Sequence, residues 1–284
     1  MRFIVISIII FLAYSCTAVK LSVPEQFSQQ ATRMQVKGLN GWMINQQLSF
    51  GNYQTSTVKR GWDMGSSFQH TKLLMKPEEM LLKVFEIDTD KKSLSQRNKF
   101  QYTLYDGRLE SAIFAAEKFS EKQLVYKSRN PWIGDASKTR SYEYAFTAAI
   151  LPAFEQNANP WSVVMANTYN SESDKSRGMF ERPEVEIEGY ATNGTETISI
   201  RSLFVDKVKQ KNGKDTKVLG GSLLTGYELK WDGGVVGIVD ILDNNIWMAN
   251  NLEAEDKLIV SSISSAILLK RMQDVEKDRD DLDD

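Results

Sequence analysis

The chain has 284 residues, with 35 Lys plus Arg against 37 Asp plus Glu, one histidine and one cysteine. A net charge of −2 is not the footprint of a nucleic-acid binder. A lone cysteine excludes an intramolecular disulfide, and with a lone histidine it falls short of the donor set of ordinary zinc sites. Stability must come from a hydrophobic core, which a chain of this length can bury.

The N-terminus reads as an export signal. Met1-Arg2 is a short positive start, Phe3 to Ala13 is apolar except for Ser7, and the small residues Ala13 and Ser15 flank Tyr14 just before Cys16. That order of features describes a secretory signal peptide. The apolar run is much shorter than the roughly 20 residues that span a bilayer. Two cleavage readings fit. Ala13-Tyr14-Ser15 suits ordinary signal cleavage, whereas Leu12-Ala13-Tyr14-Ser15-Cys16 resembles a loose bacterial lipobox. The stricter lipobox has Leu where Ala13 stands and a small residue where Tyr14 stands. Cys16 is the chain's only cysteine and sits at the cut, which favours acylation there. Two or more acyl chains anchor far better than one.

The mature chain is expected to begin with a polar tether (16–30), continue as one domain (31–272) and end in an acidic, disordered tail (273–284), after a signal peptide at 1–15. Strands are expected at Met34–Val36, within Gln47–Trp62, and over Phe100–Tyr105, where apolar and polar residues alternate. Asp106-Gly107 is a hairpin signal, and Leu109–Phe119 returns as a less cleanly alternating strand. Pro77 to Phe85 fits a short helix with proline in its first turn. Further strands are expected at Tyr142–Ala149, Ser162–Tyr169, Val185–Tyr190, Thr197–Phe204, Tyr227–Trp231, Val235–Leu242 and Ile246–Met248. Turns fall at Asn193-Gly194, Lys211–Lys214 and Asp232–Gly234. Many short strands joined by Gly, Asn and Asp turns predict an antiparallel barrel or sandwich.

The clearest helix comes last. Glu253 to Asp256 places acids at its start, where the helix dipole favours them, and Leu258–Leu269 follows. Its apolar residues point around the whole cylinder, which predicts burial on all sides. At about 18 Å it is too short to cross a bilayer.

The segments GYELKWDGGVVGIVD, NNIWM and EDKLIVSSISSAILL together resemble the end of the tubby-like, phospholipid scramblase and LURP-one fold. FQYTLYDGRLESAIF is similar to the earlier hairpins of such barrels. The resemblance covers residues 100–119 and 227–270. It implies a mainly β protein, an antiparallel β-barrel enclosing the apolar C-terminal helix; the alternative is a β-sandwich with the helix packed on one face. The cysteine-rich segment and calcium site of scramblases have no matching residues here, and the phosphoinositide-binding basic residues of tubby proteins do not map onto numbered positions. The chain is also similar to lipoproteins of Bacteroidota-type bacteria.

Candidate chemistry is sparse. His70 would have to be the base of any Ser-His-Asp arrangement, yet no nucleophile elbow accompanies it, so an ordinary strand histidine explains it better. Asp88-Thr89-Asp90 lacks the ligand-rich loop of an EF-hand and reads as a solvated turn. No P-loop or dinucleotide fingerprint occurs. The most distinctive polar and aromatic grouping is Arg60-Gly61-Trp62-Asp63. With Trp42 and Tyr53 it forms a candidate ligand pocket for sugars or for acyl chains with charged heads. Its plainer reading is a strand end, with Trp62 in the core and Arg60 paired to Asp63 or another acid. No catalytic residues, metal ligands or cofactor are assigned.

These readings predict an exported, lipid-anchored envelope protein with a non-catalytic binding or scaffolding β-domain. The expected location is the periplasmic face of a Gram-negative envelope, the alternative a secreted soluble protein. The expected partners are the membrane, through a lipid on Cys16, and a lipid or an envelope protein, with no nucleic acid. Alternative functions are a carrier of lipid or another hydrophobic ligand, and an envelope hydrolase using unidentified carboxylates.

Overall fold

The computed structural model describes residues 19–40, 45–61, 99–125, 141–153, 159–169, 185–209, 215–218 and 222–270. Cys16, Trp42, Trp62, Asp63, His70, Pro77 to Phe85, Asp88 to Asp90 and the acidic tail lie outside the described residues.

A short helix α1 (Glu25–Gln29) leads into strands β1 (Ala31–Gln35), β2 (Ser49–Phe50), β3 (Tyr53–Thr55) and β4 (Lys59–Arg60). The long strands follow: β5 (Lys99–Tyr105), β6 (Glu110–Val125), β7 (Ser141–Pro152), β8 (Trp161–Tyr169), β9 (Val185–Thr192) and β10 (Thr197–Val205). A small separate hairpin pairs β11 (Lys207–Lys209) with β12 (Asp215–Lys217). The chain closes with β13 (Leu223–Trp231), β14 (Gly234–Asp240), β15 (Asn245–Ala249) and helix α2 (Ala254–Leu269).

Twelve strands follow one antiparallel path, β1-β15-β14-β13-β10-β9-β8-β7-β6-β5-β3-β2, with β4 also pairing β5. The two ends of the path meet. Just past β1, the Lys37 N–H donates to the Ser49 carbonyl at 2.9 Å, and the Ser49 N–H returns to Lys37 at 3.1 Å. The result is a nearly closed barrel, a shape that removes exposed strand edges. This is an arrangement compatible with a tubby-like-type fold. The sandwich alternative fails because both edges of the sheet are consumed in the ring.

The hairpins form where turn chemistry dictates. Asp232 and Gly233 both have positive φ, +49° and +78°, as a two-residue type I′ turn between twisted strands requires. At the β5–β6 turn, Asp106 Oδ1 accepts the N–H groups of Arg108 and Leu109 at 2.8 and 2.7 Å.

Helix α2 is enclosed. Every residue from Leu258 to Ile267 is at most 2% exposed, so no face of the cylinder meets water. It touches β14 and β15 on one arc of the ring and β5, β6 and β7 on the opposite arc. Hydroxyl pairs fix its register: Ser262 with Ser111 at 2.7 Å, and Ser265 with Tyr102 at 2.8 Å. Each satisfies polar atoms that would be costly if buried alone. Gly237 on β14 makes room for the helix; a Cβ there would stand 3.0 Å from Val260 Cγ1. The main core is therefore the barrel interior plus this helix, with Phe50, Leu104, Ile113, Phe146, Ile198, Leu229 and Ile246 on the walls.

Two smaller apolar clusters lie on the outside. Phe114, Ala116, Ala149 and Leu151 form one on β6 and β7. The other gathers Ile238 and Ala249 under Phe27 of α1, with Leu21 and Val23 packed against them. The segment read as a tether is thus docked from Leu21 onward, because its spaced apolar residues find a hydrophobic wall.

Candidate functional site

The barrel has two unlike ends. Tight turns close one end: β2–β3, β5–β6, β9–β10 and β13–β14, beside the start of α2. The long connections 61–98, 126–140, 170–184 and 206–222 all leave from the other end, as does the chain after α2. Long loops on one end of a rigid frame are where binding groups concentrate.

A polar cluster sits inside that long-connection end, around the C-terminus of α2. The last helical carbonyls have no intrahelical partner. Arg60, delivered by β4, donates from Nη2 to the Leu269 carbonyl at 2.9 Å and to Gln46 Oε1 at 3.1 Å. Its guanidinium stands 4.9 Å over the Phe100 ring. A cation at this terminus also complements the helix dipole.

The next residue, Lys270, turns inward and is 7% exposed. Its Nζ donates to Tyr227 Oη at 2.5 Å and lies 4.2 Å from the Tyr227 ring centroid. Burial disfavours the ammonium and pulls the Lys270 pKa down to about 7, against the opposing pull of the Glu117 carboxylate. Glu117 occupies the inward position of β6 in line with Ile113 and Ala115 and is 2% exposed. Tyr227 has its hydroxyl pKa pushed up by burial. Amine, hydroxyl and carboxylate are the parts of a proton-transfer site. Here each belongs to a residue less than one-tenth exposed.

Of the five residues grouped from sequence, the structure describes Tyr53 and Arg60. Tyr53 is a core residue: it is 4% exposed, stacks on Phe50 with centroids 5.3 Å apart, and has its hydroxyl pKa raised by burial, partly offset by the nearby Ser261 side chain. Arg60 stands about 12 Å further along the helix, since Leu269 is eight residues beyond Ser261 and α-helical rise is ~1.5 Å per residue. Arg60 holds the helix terminus through the Leu269 carbonyl. Trp42, Trp62 and Asp63 lie outside the described residues.

Glu117, Tyr227 and Lys270 escaped notice in the sequence. The available signal was a glutamate at the inward position of an otherwise apolar strand face. At the tight-turn end, Asp256 has its pKa raised by burial first and then by Glu196, Glu255 and Glu253. Among the described residues no group of three or more His, Cys, Asp or Glu is placed to share a metal ion, and no helix is long and apolar enough to cross a membrane.

Removing the Arg60 side chain should destabilise the fold. Arg60→Met is expected to lower the unfolding free energy by about 2 kcal/mol, the scale of buried charge-assisted hydrogen bonds. Arg60→Lys should recover little, because a single ammonium cannot reproduce the planar fork. Urea titration of the three proteins measures this, and equal midpoints would contradict the capping role.

No protein-family model matches the chain, no curated protein matches its sequence, and no solved structure matches its fold.

Proposed function

We propose that the chain is an exported envelope protein, anchored by lipid on Cys16, whose barrel is a solid, non-catalytic scaffold that presents binding loops at one end. The observation that carries this reading is the filled interior. Helix α2 occupies the space between opposite walls, and its residues Leu258 to Ile267 are buried without a gap in the series. A carrier of hydrophobic ligands needs that volume for its cargo. The convergence of the long connections on one end supports recognition there.

Two mass measurements test the reading. The membrane-bound protein is expected to carry acyl chains on an N-terminal Cys16; an unmodified Cys16 in that fraction overturns the anchor. The Cys16→Ser protein, released in soluble form, is expected to fly in native mass spectrometry as polypeptide alone. A stoichiometric co-purified lipid would overturn the solid scaffold and restore the carrier.

A further inference from the structure

We infer that the outer wall formed by β1, β15, β14, β13 and β10 is the face of the barrel that rests on acidic phospholipid headgroups of the anchoring membrane. This rests on the reading of Cys16 as the lipid-bearing residue.

The length of the leash carries the inference. A free tether over residues 17–30 would let the domain stray about 50 Å at full extension. The segment is not free. Phe27 is 9% exposed and packs on Ile238 and Ala249, Leu21 and Val23 join the same outer cluster, and the Asn250 N–H donates to the Gln30 carbonyl at 2.9 Å. Only residues 17–20 separate the acylated position from the docked Leu21, a reach of about 18 Å. Leu21 belongs to a cluster that includes Leu203 on β10, Val235 on β14 and Trp247 on β15. The bilayer surface therefore lies within that distance of this wall, and a barrel wider than the leash cannot turn its opposite wall to the membrane.

The chemistry of the wall suits headgroup phosphates. Lys20 and Arg33 are exposed, and the Arg201 side chain is 62% exposed. Lys230 stands beside Arg201, and both hold Glu228, at 3.2 and 3.0 Å; that carboxylate is itself nearly buried. Glu25 on α1 and Glu188 on β9, cross-strand from Arg201, are exposed acids beside it. On the wall's own strands the acids Glu228 and Asp240 are buried, and the charges that stand out, Arg33, Arg201 and Lys230, are basic. Trp247 faces outward from β15, half-buried, with Arg33 5.9 Å from its ring centroid. An aromatic ring with a cation at its edge is suited to the headgroup layer, and basic side chains close to an acidic lipid surface are attracted to it.

Lysine footprinting tests this on the unmutated chain. The acylated protein is reconstituted in vesicles of phosphatidylcholine and phosphatidylglycerol, treated with a membrane-impermeant acetylating reagent, and compared residue by residue with soluble Cys16→Ser protein. Lys230 and Lys20 are expected to label several-fold less on vesicles, whereas Lys99, half-buried on β5 and five strands round the ring from β14, labels equally. Lys230 is decisive, because Lys20 is shielded by any anchor. Equal labelling of Lys230 in the two states, or equal protection of Lys99, overturns the inference while leaving the anchor intact. A chain that carries no acyl group and washes off the vesicles overturns the anchoring reading instead. Lengthening the leash by a Gly/Ser insertion between Lys20 and Leu21 is expected to return Lys230 labelling toward its soluble level; protection unchanged by the insertion overturns the short leash as what selects the face.

Discussion

The Ile263→Asp protein is expected to have no cooperative folded state. Ile263 lies midway along α2, fully buried, within the core shared by helix and barrel. An aspartate there would sit inside that apolar core, and burying an uncompensated carboxylate costs several kcal/mol. The lost apolar packing adds about 3 kcal/mol more. Together these rival the entire stability of a typical domain, roughly 5–15 kcal/mol. Near-ultraviolet circular dichroism and a thermal melt would read the result as a flat tertiary signal and no transition. Ile263→Val, which keeps the shape, should cost only about 1 kcal/mol. An aspartate variant that melts like the parent protein would mean that the helix lies on the surface and that the enclosed architecture is wrong.

The second large effect is a pH dependence centred on Lys270. Its amine has a pKa of about 7 in the folded protein against an ordinary 10.5. Between those values the unfolded chain holds a proton that the folded protein has released. Unfolding therefore takes up a proton, and the stability contributed by this group rises with pH across that window. Below the folded value the amine is charged in both states, and the cost of burying it is fully present. A depression of this size corresponds to several kcal/mol between the two limits. Urea midpoints measured between about pH 7 and 9 should climb in the parent protein. In Lys270→Met the climb should be much shallower, since the titrating group is gone. Tyr102 and Tyr227, whose pKa values burial raises, contribute in the opposite sense only where an unfolded tyrosine ionises, near pH 10. A parent protein whose stability falls over the window, or a variant with an undiminished slope, would contradict the buried position of the amine.

Ile263 stands in a helix whose all-round burial the sequence already predicts, whereas the inward turn of Lys270 comes from the barrel alone. The strands were legible wherever one wall face is apolar and the other polar, as in Phe100–Tyr105, and wherever a turn announces itself chemically, as at Asp106-Gly107 and Asp232-Gly233. Legibility dropped where both faces are buried. Leu109–Phe119 alternates poorly because Ile113 and Ala115 face the helix while Phe114 and Ala116 form an outer cluster. The short pair β11 and β12 went unread beyond its turn, three residues being too few for a periodic signal. Helix α1 was hidden in a polar stretch, since only Phe27 and its neighbours Leu21 and Val23 mark it, and they matter only against Ile238.

The candidate site was less legible than the fold. Arg60 drew attention for its company with Trp62 and Asp63, yet its described partners are a helix carbonyl and Gln46, separated from it by 209 and 14 residues. Lys270 directly follows the final helix; only the barrel around it turns it inward against Tyr227 and Glu117.

By itself, the sequence determined the mainly β class, the positions of the principal hairpins and a final helix that must be buried on all sides, because alternation, turn residues and an all-round apolar cylinder are local properties of the chain. The tertiary structure alone decided that the sheet closes, through Lys37 and Ser49, and that the helix fills the ring. It alone decided that Leu21 to Gln29 docks on the outer wall of the barrel, and that Arg60, Lys270, Tyr227 and Glu117 meet at one end. Those outcomes depend on contacts between residues far apart in sequence, whose partners no local pattern specifies.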